Sequence, residues 1–135
     1  MTEAQQAAEK GEVPVGAVLE QKGHLLAKSH NRVEELSDPT AHAELLCISG
    51  ACSYLRSRVL ADAILWVSVE PCPMCAYAIE LARIPKVIAF LPEPKTGFQS
   101  RYGLSFPFAM EWAPEPARQE MQHLLQGFFR QLRRP

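Results

Sequence analysis

Short apolar runs alternate along the chain with longer segments in which apolar residues recur every three or four positions. The runs have the length and composition of β-strands, and they occupy residues 15–19, 25–27, 64–69 and 87–90. The longer segments have the spacing of helices that bury one face, and they occupy residues 2–10, 41–56, 73–83 and 115–133. The pattern therefore predicts a protein built from both strands and helices.

The connections between these elements predict how the strands pair. The polar pair Lys22-Gly23 separates the first two runs and predicts a tight turn between antiparallel strands. A helix separates the last two runs, which favours parallel pairing through a right-handed crossover. Asp38-Pro39 is typical of a helix N-cap followed by proline at the first helical position. We therefore expect a mixed sheet with helices on both faces, in one α/β domain that spans residues 1–135.

Composition narrows the classes of function. The 135 residues are 47% apolar and 21% charged, which is typical of a globular protein and argues against a disordered chain. The formal net charge of −1 excludes a wholly basic nucleic-acid binder but leaves room for a local basic patch. No apolar run approaches the roughly 18 residues of a membrane span, and the polar start lacks the features of a signal peptide. We expect a cytoplasmic protein with no membrane partner, whose four cysteines are metal ligands or free thiols.

Two short motifs carry the predicted chemistry, and the first is Cys72-Pro73-Met74-Cys75. Proline suits the first helical position, so Cys72 becomes the N-cap and Cys75 the third helical residue. Both sulfurs then lie at the positive end of a helix dipole, which favours the thiolate form that binds zinc. His42 supplies a third ligand, and three protein ligands leave a fourth position open, as in catalytic zinc sites. We therefore expect one zinc ion per chain and no organic cofactor.

Glu44 is the candidate for proton transfer. It lies two residues after His42, and a hydrolytic zinc site needs a group that takes a proton from water and returns it to the substrate. Residues two apart lie about 200° apart on a regular helix, so both side chains reach one site only if the helix begins close to them. The other two cysteines, Cys47 and Cys52, are interpreted as free thiols of the core.

Taken with their surroundings, these motifs resemble the bacterial tRNA adenosine deaminases, a branch of the cytidine and deoxycytidylate deaminase superfamily. The matching stretches are GEVPVGAV at 11–18, NR at 31–32, DPTAHAE at 38–44, EPCPMC at 70–75, ARI at 82–84 and PKTG at 94–97. A weaker similarity continues through residues 124–125 and 128–130, so the resemblance covers most of the chain. The zinc motif identifies the superfamily, while PVGA at 14–17 and ARI favour the tRNA branch.

The resemblance implies hydrolytic conversion of the wobble adenosine of a tRNA anticodon to inosine, with release of ammonia. It also implies a three-layer α/β/α sandwich with a five-stranded sheet, a homodimer, and a tRNA anticodon stem-loop as partner. It makes Glu44 the proton shuttle and gives Asn31 a hydrogen bond to the flipped base, in a pocket shaped by Val13, Val69 and the backbone at Ala43. From the residues alone, Asn31 is more typical of a turn that closes the second strand.

The chain departs from the family pattern in three places. Its first helix is shorter by about one or two turns. Glu93, which we include among the substrate-binding residues, stands where the RNA-contacting loop of the family commonly has Asp. The residues after Gly97 do not follow the family's usual continuation, and three prolines limit residues 98–116 to a short or edge strand.

Two other functions stay open at this point. A deaminase of a free nucleobase such as guanine or cytosine would keep the zinc and Glu44 and change only the pocket and loops. A catalytically silent RNA-binding or dimer-partner subunit belongs to a different class. The presence of Glu44 counts against it, because such subunits often lose the shuttle carboxylate.

Overall fold

The computed structural model describes residues 2–132, and within them the chain forms five strands and five helices. The strands are β1 (Gly16–Gln21), β2 (His24–His30), β3 (Ala63–Val69), β4 (Lys86–Leu91) and β5 (Ala109–Trp112). The helices are α1 (Thr2–Glu9), α2 (Val33–Leu36), α3 (Ala43–Leu55), α4 (Pro73–Leu81) and α5 (Ala117–Leu132). Every strand and helix expected from the sequence is present, although Arg133, the expected end of the last helix, lies outside the described residues. Across residues 2–132, no helix combines the length and the apolar character needed to cross a membrane.

The five strands form one mixed sheet in the order β2-β1-β3-β4-β5. β1 pairs antiparallel with β2 and β3, whereas β3, β4 and β5 are parallel. Helix α4 connects β3 to β4, so the parallel pairing expected from the sequence is confirmed. Parallel strands place their carboxyl ends at the same edge of a sheet, and the segments that follow β3 and β4 therefore begin side by side.

The turn between β1 and β2 adopts the tight form expected from the sequence. Lys22 has φ 52° and Gly23 has φ 80°, and Gln21 pairs with His24 across them. Positive φ at both central residues is the mark of a type I′ turn, whose twist matches that of the flanking strands.

The sheet separates two layers of helices. One face carries the buried side chains of Leu65 and Val87, against which α3 and α4 pack through Cys47 and Ile79. Helix α1 lies on the opposite face, against Gly16 of β1, and α5 packs beside α1. The expected three-layer α/β/α sandwich with a five-stranded sheet is confirmed.

The segment before α3 differs from the expectation. Asp38-Pro39 does not start a helix, because α3 begins at Ala43 and the short helix α2, which the pattern does not predict, precedes this segment. The Asp38 carboxylate accepts hydrogen bonds from the N–H and the hydroxyl of Thr40, at 2.8 and 2.7 Å. A short polar side chain that binds the backbone two residues later stabilises a turn in place of a helix.

Residues 98–116 contribute the edge of the sheet. Strand β5 is parallel to β4 and has no other neighbour among the described strands. Pro107 and Pro114 flank it, and proline cannot donate a hydrogen bond to a strand ladder. The expectation of a short or edge strand is therefore confirmed.

Gly16→Ala tests the contact between α1 and the sheet. A Cβ atom at Gly16 would lie 2.6 Å from the Cβ of Glu3 and 2.7 Å from the backbone nitrogen of Ala4, so the helix would have to move. We expect the free energy of unfolding, measured by urea titration, to fall by about 1–3 kcal/mol. Gly50→Ala in α3 is the control, because its Cβ would meet only Ala27, at 3.9 Å, and alanine favours a helix by about 1 kcal/mol. Equal stability of the two variants would contradict this packing.

Candidate active site

His42 and Glu44 stand at the beginning of α3. The helix begins at Ala43, and His42 is its N-cap residue with an extended backbone (φ −75°, ψ 148°). Glu44 is therefore the second helical residue, and the angular separation that applies within a regular helix does not apply to this pair. Both side chains line the same cleft. The helix thus begins close to His42 and Glu44, as the sequence requires if both side chains are to reach one site.

Cys72 and Cys75 stand at the beginning of α4. Cys72 is the N-cap residue (φ −76°, ψ 170°) and Pro73 occupies the first turn, as the motif predicts. The Sγ atoms of Cys72 and Cys75 lie 3.7 and 3.5 Å from Nδ1 of His42. The ligand atoms of the three residues all lie within 4.8 Å of one another, so the fold brings the expected metal ligands together.

The three atoms fit a tetrahedral zinc ion. Zinc–sulfur and zinc–nitrogen bonds of about 2.3 and 2.0 Å place a nitrogen about 3.5 Å from a sulfur when the angle is tetrahedral. The separations found here, 3.5 and 3.7 Å, are close to that value. Within residues 2–132, this is the only group of histidine, cysteine and acidic side chains that could hold a metal ion. Three protein ligands make it a site of the catalytic kind, which keeps one coordination position open.

The two sulfur atoms differ in their affinity for a proton. The pKa of Cys72 is lowered to about 4, first by a hydrogen bond from the Cys75 thiol and also by one from the His42 imidazole. The pKa of Cys75 is raised, because its thiol donates to Cys72 and because it is buried. The hydrogen bond between the His42 imidazole and Cys72 raises the pKa of His42. A metal ion that binds both sulfurs must displace the Cys75 proton, so metal binding weakens as the pH falls.

Glu44 is buried beside this cluster, with 3% of its surface exposed. Burial raises its pKa to about 7, although the neighbouring His42 opposes the shift. A carboxyl group with a pKa near 7 both gains and loses its proton readily at neutral pH, which suits a general acid and base.

His42, Cys72 and Glu44 line a cleft of about 320 Å³. Its wall contains seven of the nine site residues expected from the sequence, namely Val13, Asn31, His42, Glu44, Val69, Cys72 and Glu93. The other two, Ala43 and Cys75, are fully buried and do not line the cleft. The fold thus gathers all nine expected residues in and around one cleft.

Asn31 joins the end of β2 to the start of α3. Its N–H donates to the carbonyl of Val15 at 3.0 Å, and its Oδ1 accepts the N–H of Ala43 at 2.8 Å. It thereby binds the first turn of α3 in place of His42, whose side chain makes no capping bond. Asn31 thus closes β2, as the residues alone favour. Its NH2 group also keeps two donors for a molecule in the cleft, since it makes no hydrogen bond within residues 2–132.

Two buried carboxylates beside the cleft are absent from the sequence expectations. Glu12 is 2% exposed and accepts the N–H groups of Glu34 and Glu35, at 3.0 and 2.9 Å, at the start of α2. Glu70 is also 2% exposed, and it accepts hydrogen bonds from the loop that follows β4. In the sequence, each of these residues is simply an acidic residue beside an apolar or proline-containing stretch. Acidic residues are seldom buried, so this pattern does not predict that Glu12 and Glu70 are buried.

Comparison with known proteins agrees with this chemistry. Residues 1–91 match the family profile described as the cytidine and deoxycytidylate deaminase zinc-binding region. The chain belongs to this family of deaminases. The zinc-binding region of the deaminase includes His42, Cys72 and Cys75, which are the three side chains that the fold brings together.

Relatives extend the similarity over nearly the whole deaminase. A tRNA-specific adenosine deaminase from Aquifex aeolicus is 44% identical, covering 98% of this chain and 91% of the relative. A solved structure from work on A-to-I editing by tRNA:A34 deaminases is 39% identical with a TM-score of 0.81, covering 92% of this chain and 94% of that chain. A guanine deaminase structure from Bacillus subtilis is 36% identical with a TM-score of 0.62, covering 78% of this chain and 64% of that chain. The mixed five-stranded sheet with helices on both faces is therefore the fold that this deaminase shares with its family.

Cys72→Ser tests the metal site. We expect the wild-type deaminase to hold one zinc ion per chain and the variant to lose most of it. The reason is that a hydroxyl, which stays protonated at neutral pH, replaces a thiol whose pKa is about 4. Elemental analysis after gel filtration measures the metal content. Cys52→Ser is the matched control, because Cys52 is a half-buried free thiol of α3 outside the cluster. Full zinc content in the Cys72 variant would rule out this ligand.

Proposed function

We propose that this deaminase converts the wobble adenosine of a tRNA anticodon to inosine, with addition of water and release of ammonia. The observation that carries the proposal is the convergence of His42, Cys72 and Cys75 beside the buried carboxyl group of Glu44. The relative and the solved structure named for tRNA adenosine deamination support the choice of substrate. An adenosine in a single-stranded loop leaves its stack at low cost, which suits a cleft that admits one base.

His42, Cys72 and Cys75 hold one zinc ion in this proposal. Zinc lowers the pKa of a bound water, so that hydroxide is available near neutral pH. The protein fixes all three ligands at helix N-termini, with His42 at the start of α3 and both cysteines at the start of α4. The dipole of α4 favours the thiolate form that binds a metal ion.

Glu44 carries the protons. Its carboxylate takes a proton from the attacking water and delivers it to a ring nitrogen of the base. It then takes the remaining proton of the added hydroxyl group and delivers it to the leaving amine. A pKa of about 7 suits this cycle, because uptake and release of the proton are then nearly balanced. Glu44 is free for this task, because the cluster of ligand atoms does not include it.

The base lies between apolar walls in this proposal. The side chains of Val13 and Val69 line the cleft, whose volume of about 320 Å³ is at the lower end for small-molecule sites. Asn31 donates from its NH2 group to the base, and the bond of its Oδ1 to the Ala43 N–H fixes its orientation. We assign Glu93, also in the cleft wall, to contact with the adjoining RNA.

A deaminase of free guanine is the second candidate. The likeness to the guanine deaminase structure favours it, and so do the residues after Gly97, which depart from the tRNA deaminase pattern. The tRNA:A34 deaminase structure has the higher TM-score and covers more of both chains. We therefore favour the RNA substrate.

We further propose one domain, a cytoplasmic location and a homodimer. Residues 1–135 act as one deaminase domain, a view supported by the single sheet and the shared core of the described residues. The deaminase acts in the cytoplasm, where its proposed tRNA substrate occurs. It works as a homodimer, which the resemblance implies and which the exposed side chains of Tyr77 and Leu81 on one face of α4 support.

Incubation with an anticodon stem-loop and, separately, with free guanine, cytosine and adenine tests the proposed substrate. We expect ammonia and inosine from the stem-loop alone, with binding that weakens steeply as salt is added. Ammonia from guanine but not from the stem-loop would show that the substrate is the free base and not RNA.

Glu44→Gln should keep one zinc ion per chain and lose activity by at least about a hundredfold, because the amide cannot carry the proton. Normal turnover by the glutamine variant would remove Glu44 from the mechanism.

Leu81→Glu tests the proposed dimer. Leu81 is 79% exposed on α4, and a charge on an apolar interface opposes association. We expect sedimentation velocity to give twice the chain mass for the wild type and the chain mass for this variant. Leu25→Glu is the control, because Leu25 is a comparably exposed leucine on the edge strand β2. A wild-type monomer, or a dimer that survives Leu81→Glu, would contradict this interface.

A further inference from the structure

The carboxylate of Glu70 is almost fully buried, and its hydrogen bonds come from a single loop. Its Oε2 accepts the N–H groups of Gln99 and Ser100, at 2.8 and 2.9 Å. Its Oε1 accepts the N–H of Glu93 at 3.0 Å and the hydroxyl of Ser100. No cation pairs with it among the described residues. The loop formed by residues 93–100 therefore supplies the donors that stabilise this buried charge.

The same loop forms part of the wall of the substrate cleft. Glu93 and Thr96 line the cleft, while Gly97 packs directly on the Glu70 carboxyl group. A Cβ atom at Gly97 would lie 2.6 Å from Cδ of Glu70, so only glycine allows this approach. The N–H of Phe98 adds a bond of 2.9 Å to the carbonyl of Pro71. The loop is thus fastened to the residues that lead from β3 to the metal ligand of α4.

The hydrogen bonds keep Glu70 ionised. Burial alone raises the pKa of this carboxyl group, but the bonds from Ser100, Glu93 and Gln99 outweigh burial and lower its pKa overall. Bonds from neutral donors to an ionised carboxylate are stronger than bonds between neutral groups. Four of them on one carboxylate therefore hold the loop firmly.

We propose that Glu70 is a positioning residue of this deaminase. Its carboxylate holds residues 93–100 as a wall of the cleft, and thereby sets how tightly the substrate binds without taking part in metal binding or proton transfer. The inference rests on the proposed function, because its kinetic readout uses the RNA substrate. Its structural readout does not need any substrate.

Glu70→Gln separates this role from a general role in folding. A glutamine has the same shape but only one acceptor oxygen, and that oxygen keeps the two bonds from the N–H groups of Gln99 and Ser100 when it faces them. The NH2 group then faces the N–H of Glu93, so donor meets donor. The defect should therefore appear first at Glu93, which is the loop residue that lines the cleft.

Amide hydrogen exchange, measured by NMR on the zinc-loaded protein, reports this defect directly. In Glu70→Gln we expect the amide of Glu93 to exchange about tenfold faster, while the amides of Glu34 and Glu35 keep their rates. Glu12→Gln is the matched control, because Glu12 is an equally buried carboxylate that holds those two amides. It should speed their exchange and leave Glu93 unchanged. An unchanged rate at Glu93 in Glu70→Gln would overturn the proposal.

Kinetics with the anticodon stem-loop report the consequence. We expect Glu70→Gln to raise KM about tenfold, to change kcat by less than about twofold, and to keep one zinc ion per chain. A lower kcat with unchanged KM, or loss of zinc, would overturn the proposal, because Glu70 would then act on the metal site.

If Glu70→Gln does not fold, Ser100→Ala is the second variant, because it removes only the hydroxyl bond to Glu70 and should also raise KM. An unchanged KM in that variant would count against the role. A wild type inactive on RNA would refute the proposed function, while the exchange experiment would still decide whether Glu70 holds the loop.

Discussion

The active site depends on two helix N-termini that meet with their N-cap side chains free. An N-cap side chain commonly binds the exposed N–H groups of its own helix, but neither His42 nor Cys72 does so. Asn31 takes over that task for α3 through the 2.8 Å bond from the Ala43 N–H to its Oδ1. The imidazole of His42 is therefore available to face the sulfurs of α4 at 3.5 and 3.7 Å. A single amide side chain, held by the end of β2, thus caps α3 in place of the histidine of the cluster.

The buried carboxylates show how the same group serves two purposes. Glu70 accepts enough hydrogen bonds to overcome the cost of burial, and its pKa is lowered. Glu44 has a similarly small exposed surface, but it lies deeper in the protein and meets fewer donors, so burial dominates and raises its pKa to about 7. A carboxylate saturated with donors serves as a fixed anion, and one with few donors is suited to transfer protons.

The parts of the fold that follow local rules could be predicted from the sequence. Apolar runs located the strands β1, β2, β3 and β4, and Pro73 placed Cys72 at an N-cap. The start of α3 could not be predicted from its own segment, because Asp38-Pro39 is the better local N-cap signal. The actual start depends on Asn31, which is twelve residues distant from Ala43 in the chain. The roles of Glu12 and Glu70 were missed for the same reason, because their partners lie more than twenty residues away.

The loop that Glu70 holds contains Glu93 and residues 98–100, which depart from the family pattern, on either side of the matching stretch 94–97. Three of the four bonds to Glu70 come from backbone N–H groups, which every residue except proline possesses. Gly97 must approach the carboxylate closely, and the hydroxyl of Ser100 adds the fourth bond. Phe98 is constrained as well, because its ring is buried against Tyr77 and Phe106. The proposed metal chemistry therefore needs particular side chains, whereas the proposed substrate wall is held to Glu70 mainly through its backbone.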